Sequence, residues 1–129
     1  MTNEADKVAQ HVADVLKEHG FRKKHRTWHR GANGVIQVLN LQASQWNQHD
    51  FYCNLALYLT DLGDLASPPE YKCHIRRRTD TADIPGMIRF ALAWFDERKT
   101  VTGIRERFHS GDLDAIVTGE AQSFLRGDS

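Results

Sequence analysis

The sequence predicts an α+β fold: an antiparallel sheet of about four strands, packed on one face by an N-terminal helix and C-terminal helices. Three observations predict it. The hydrophobic period is helical over the first twenty residues, close to two between Phe21 and Arg78, and helical again after Thr79. An Asn33-Gly34 dipeptide separates two extended-looking runs, the strongest short hairpin signal because both turn positions need positive φ. The chain has 129 residues, enough for one compact domain and short for two. No repeat, low-complexity stretch or dividing linker interrupts it, so residues 1–129 read as a single domain.

The first helix is carried by Ala5, Val8, Val12, Val15 and Leu16, which form one stripe at spacings of three and four. Thr2 or Asn3 can cap its start, and Gly20 suits the left-handed position that ends it. The first strand is read over Phe21–Arg30 and the second over Val35–Ser44. A third run, Asp50–Leu59, places Phe51, Cys53, Leu55, Leu57 and Leu59 on one face. Thr60–Pro69 holds Gly63, Pro68 and Pro69 and reads as a loop. A fourth strand, Glu70–Arg78, puts Tyr71, Cys73 and Ile75 on one face. Asp83 can then cap a helix with Pro85 in its first turn and an apolar stripe through Ile88, Leu92 and Phe95. Ile104 and Phe108, then Leu113, Ile116 and Val117, then Phe124 and Leu125 read as short packed helical pieces, with Asp112 capping the middle one.

Composition excludes several classes. Seventeen basic residues balance seventeen acidic ones, which argues against a bulk polyanion binder. No apolar run approaches the roughly 20 residues that cross a bilayer, and the opening residues lack a signal-peptide pattern. Two cysteines make no disulfide framework, so a reducing cytoplasm is the expected compartment. The charge is nevertheless local. Residues 21–30 hold Arg22, Lys23, Lys24, Arg26 and Arg30 with no acid, and residues 71–78 hold Lys72, Arg76, Arg77 and Arg78 with none. Two readings stand: edge strands guarded by cations, or a contact for an anion or acidic protein. Motifs of nucleic-acid recognition are absent from the sequence.

The polar constellation is Asn40, Gln42, Ser44, Trp46 and Asn47. Asn40, Gln42 and Ser44 alternate with Leu39, Leu41 and Ala43, so one strand face is apolar and the other carries amides and a hydroxyl. Amides are poor strand formers, so three polar groups in line need a reason. With an even hairpin loop, Thr27 faces Asn40, His25 faces Gln42 and Trp28 meets Leu39; an odd loop reverses this. Tyr52, Asn54 and Tyr58, then His74, Arg76 and Arg78, add to the same face by parity. Asn40, Gln42, Ser44, Trp46, Asn54, His74 and Arg76 are therefore the candidate ligand- or partner-binding residues. The competing reading is a solvated sheet face with an amide network fixing the loop at 45–50.

No phosphate-binding glycine loop, dinucleotide fingerprint, metalloprotease helix or nucleophile elbow is present. His25 and His29 have half-site spacing, but on one strand they lie about 13 Å apart at roughly 3.3 Å per residue. Zinc ligands sit near 2.0–2.1 Å, so no metal site is expected from that pair. Cys53 and Cys73 fall on apolar faces and read as buried free thiols. No cofactor is expected.

The stretches Gly20–Arg30, Asn33–Asn47 and Phe51–Tyr58 resemble the mainly bacterial family called domain of unknown function 4304. The similar pattern there is Gly-Phe followed by basic residues, a hairpin ending in Asn-x-Gln-x-Ser-x-Trp-Asn, and a strand with Phe-x-x-Asn-Leu. The match runs over roughly residues 13–78; His25 and His29 depart from it. The resemblance implies one α+β domain and draws weight to the Asn/Gln/Ser strand, and it brings no activity. Two functions are expected as alternatives. One is a non-catalytic binding or protein-interaction module, of which an immunity-type partner of a toxin is an example. The other is a small enzyme acting on an anionic small molecule, with His74 as acid/base and Arg76 as anion clamp.

Overall fold

A computed structural model describes residues 4–43, 51–79, 81 and 83–127. The expected caps Thr2 and Asn3, the candidate residues Ser44 and Trp46, and the loop at 45–50 lie outside them. Helix α1 (Glu4–Glu18) leads into β1 (Arg22–Lys24), β2 (Thr27–Ala32), β3 (Val35–Ala43) and β4 (Phe51–Leu59). Strand β5 (Ile75–Thr79), α2 (Ile84–Asp96), α3 (Val101–Ser110), β6 (Ile116–Val117) and α4 (Gly119–Arg126) follow. The sheet has six strands, where about four were expected, in the order β1-β2-β3-β4-β5-β6, each antiparallel to its neighbour.

Both extra strands have a local cause. The basic run after Gly20 is a tight hairpin rather than one strand: Lys24 pairs with Thr27 across a turn in which His25 has φ 59°. His25 therefore does not face Gln42, and it shares no strand with His29. The second extra strand is Ile116–Val117, expected to be helical. It pairs with Ile75 and Arg76, and three β-branched residues in a row (Ile116, Val117, Thr118) disfavour helix there. Asp112, expected to cap a helix here, instead accepts the Ser110 hydroxyl and lies 3.6 Å from Arg107. The two-residue turn at Asn33-Gly34 forms with φ 56° and 82°, and it sets the pairings Thr27–Asn40 and Trp28–Leu39.

The main core lies between the helices and one sheet face. Trp28, Leu39, Leu55, Leu57 and Ile75 from the sheet meet Val12 and Leu16 of α1, Ile88 and Phe95 of α2, Ile104 of α3 and Leu125 of α4. Leu92, expected in the core, is only partly buried and packs against its margin. Phe95 packs against Phe21 with the rings tilted and their centres 5.5 Å apart, which ties α2 to the start of the sheet. Thr100 caps α3 through the Gly103 N–H at 3.0 Å, and Thr118 caps α4 through Ala121. Asp83 precedes α2 with extended backbone, but its side chain accepts no capping bond.

Arg98, next to the end of α2, is 3% exposed. It donates to the carbonyls of Trp94, Leu113 and Asp112, and it stacks on the Trp94 ring at 4.6 Å. A cation suits the negative end of a helix; here it also fastens the 112–113 segment to α2.

The second sheet face is not uniformly open. A 3-10 turn at Glu70–Lys72 ends the two-residue period expected from Glu70, so strand β5 starts only at Ile75. Tyr71 is exposed, and Cys73 sits on the side of the sheet opposite Ile75. The segment between β4 and β5 folds over this face and buries a small cluster of Ile36, Val38, Ala56, Tyr58 and Cys73. Its anchors are His29 Nε2 with the Pro68 carbonyl at 2.8 Å and the Leu65 N–H donated to the Tyr58 hydroxyl at 3.2 Å. Gly63 is required there because a Cβ would overlap the Tyr58 hydroxyl.

Candidate functional site

Strand parity and the observed register place Lys24, Thr27, Asn40, Asn54 and Arg78 on a single line across five strands. All five point to the face away from the helices, in the half that the 60–74 segment leaves uncovered. Four of the side chains, Thr27, Asn40, Asn54 and Arg78, are linked. Asn40 Nδ2 donates to Thr27 Oγ1 at 3.0 Å. Asn54 Nδ2 donates to Asn40 Oδ1 at 3.2 Å and to Gln42 Oε1 at 3.4 Å, and Asn54 Oδ1 accepts Arg78 Nε at 3.1 Å. The Arg78 guanidinium lies 4.2 Å over the Tyr52 ring. The amides on this strand pair thus hold one another in fixed orientation, with Asn54 4% exposed at the centre and Gln42 exposed beside it.

Of the candidate residues, Asn40, Gln42, Asn54 and Arg76 share this face. Arg76 does not join the network: it forms a two-pronged pair with Glu70, at 2.7 Å from Nε and 3.1 Å from Nη2. That bond holds the guanidinium firmly charged. The carboxylate missing from the strands is therefore delivered by the covering segment, and Arg76 already occupies it. A shallow depression of about 330 Å³ lies here, lined by Asn54, Glu70, Arg76, Arg77, Arg78 and Ile116.

His74 reaches the same side but is 8% exposed and packs on Tyr58, ring centres 4.7 Å apart. Its Nδ1 accepts the Leu59 N–H at 2.9 Å, so that nitrogen carries no proton. Nε2 faces Glu120 at 3.8 Å. Burial lowers the His74 pKa from 6.5, partly opposed by Glu120, so the ring is held neutral. Both thiols are also disarmed. Burial pushes Cys53 up to about 12 and, aided by Glu70, Cys73 up to about 12.

The basic first and fourth runs do not merge into one zone. Strands β2, β3 and β4 separate β1 from β5, about 19 Å at roughly 4.8 Å per strand. Among the described residues, no group of three or more His, Cys, Asp or Glu could hold a metal ion, and no helix is long and apolar enough to cross a membrane.

Thr27, Tyr52 and Arg78 belong to the network but were not among the candidates. Period-two parity reaches all three; their mutual bonding needed the register. Glu70 carried no local signal, because it reaches the face only through the turn after Pro69.

No curated protein and no solved structure matches the chain. The model of the family described as domain of unknown function (DUF4304) matches residues 12–108, from α1 through β1–β5 and α2 into α3. That span covers most of the chain and every residue of the Thr27–Asn40–Asn54–Arg78 network: the chain belongs to the DUF4304 family.

Proposed function

We propose that the chain is a non-catalytic interaction module that contacts its partner through the open half of the sheet. The observation that carries this reading is the linked row Thr27–Asn40–Asn54–Arg78, ordered before any partner arrives and flanked by exposed Gln42. Fixed donors and acceptors lower the ordering cost of association. The residues available for chemistry are engaged elsewhere: His74 Nδ1 by a backbone amide, Arg76 by Glu70, and the thiols by burial. Toxin neutralisation by an immunity-type partner is one such role, since it needs a contact face and no reaction.

The test is site-directed photo-crosslinking in extract of the source cells. p-Benzoylphenylalanine in place of Gln42 should give a discrete adduct that excess unlabelled protein competes away. The same probe in place of exposed Glu106 on α3 should give none. Equal labelling from both sites, or none from Gln42, would remove the reading.

A further inference from the structure

The charge distribution over the sheet narrows the chemistry of the partner, given that the open face is a contact surface as proposed above. Among the described residues, none of the six strands carries an Asp or Glu. Strand β1 is Arg-Lys-Lys and β5 holds three consecutive arginines. The acids sit instead on helices, turns and loops, and Glu70, which the covering turn brings to this face, is paired with Arg76. On the open face this leaves a row with a cation at each end, exposed Lys24 and exposed Arg78, and between them the neutral side chains of Thr27, Asn40 and Asn54, bonded to one another. Four strand spacings put the two ends about 19 Å apart at the backbone.

We propose that this row binds an extended acidic polypeptide segment running across the strands, one carboxylate at Lys24 and another at Arg78. Exposed Gln42 beside the row suits a polypeptide because its amide can both donate and accept, as a peptide group does. Extended chain rises about 3.3 Å per residue, so a 19 Å span sets the two carboxylates about six residues apart. Arg78 is the stronger anchor: Asn54 and Tyr52 hold its guanidinium, and a held fork loses less freedom on gripping a carboxylate. A nucleic acid fits less well. Phosphates call for cations along the whole track and bases call for open aromatic faces. Here the middle of the row is neutral, Tyr52 lies under Arg78, and Tyr58 is buried.

Fluorescence anisotropy with labelled ten-residue peptides tests this. One peptide carries two glutamates six positions apart in a Ser/Gln background; the second has glutamine at both positions; the third has the glutamates adjacent. A fifteen-nucleotide oligo(dT) is the nucleic-acid probe. The spaced peptide should bind at low salt, about tenfold tighter than the glutamine peptide and more tightly than the adjacent one, as expected for one or two charge-assisted contacts. Lys24→Glu and Arg78→Glu should each weaken it at least about fivefold. Arg89→Glu, on α2 behind the sheet, should leave it within about twofold. The inference is overturned if the spaced peptide does not bind, if charge reversal at Lys24 and Arg78 leaves its affinity unchanged, or if oligo(dT) binds more tightly. Discrete cross-linking at Gln42 together with no acidic-peptide binding overturns only the partner chemistry. Loss of the Gln42 adduct would remove the contact surface itself.

Discussion

Asn54→Ala is the sharpest test of the network. Asn54 sits at the centre of the row and makes three side-chain bonds. The bond from Arg78 Nε is charge-assisted at 3.1 Å and contributes about 1.5 kcal/mol, the low end for such bonds because Arg78 is exposed. The bonds to Asn40 and Gln42, at 3.2 and 3.4 Å, are long and together add about 0.5 kcal/mol. The void opens to solvent beside exposed Gln42 and Arg78, so no sealed-cavity cost is added. The expected loss is about 2 kcal/mol. An unfolding entropy of about 2.1 cal/mol/K per residue over 129 residues turns that into a fall in Tm of about 7 °C. Urea titration of Asn54→Ala, Arg78→Ala and the double variant should return a coupling energy of about 1 kcal/mol or more between the two sites. A Tm change under about 2 °C, or strict additivity of the two variants, would refute the idea that the row is a preorganised unit.

Phe95→Ala removes a fully buried ring between α2 and the sheet and should cost about 3–5 kcal/mol by urea denaturation; a loss below about 0.5 kcal/mol would contradict the core assignment. His74 has a lowered pKa in the fold, so the unfolded chain binds its proton more readily; stability should fall as pH drops below about 6.5. That fall should flatten in His74→Gln, measured by urea titration between about pH 5 and 7.5, and an unchanged slope would remove His74 as its source. Arg98→Met leaves the carbonyls of Trp94, Asp112 and Leu113 without their donor and should cost about 2–4 kcal/mol, with Arg98→Lys recovering less than half because one ammonium cannot replace the fork. Equal stability of the arginine and lysine forms would show that the charge, not the fork, fastens the 112–113 segment.

Short-range physics settled much of this protein from its residues alone. The apolar stripe through Val8, Val12 and Leu16 can be buried only by a helix. Asn33-Gly34 favours a tight hairpin, and the even, two-residue loop that forms there places Thr27 opposite Asn40. Alternation along Phe51–Leu59 put Asn54 on the side away from its leucines, so most of the polar row was legible in the residue pattern. What remained depends on contacts between residues far apart in the chain. The run from Glu70 looks like strand, yet its first residues fold over the sheet, because burying Cys73 with Val38 and Tyr58 and pairing Glu70 with Arg76 outweigh a local period. Ile116 and Val117, β-branched and poor in helix, become a strand where Ile75 and Arg76 offer an edge to pair with. His74 has the chemistry of an acid/base, but it packs on Tyr58 and serves as a structural acceptor for the Leu59 amide. A side chain's residue type sets what it can do, and the groups that surround it in the fold decide which of those things it is free to do.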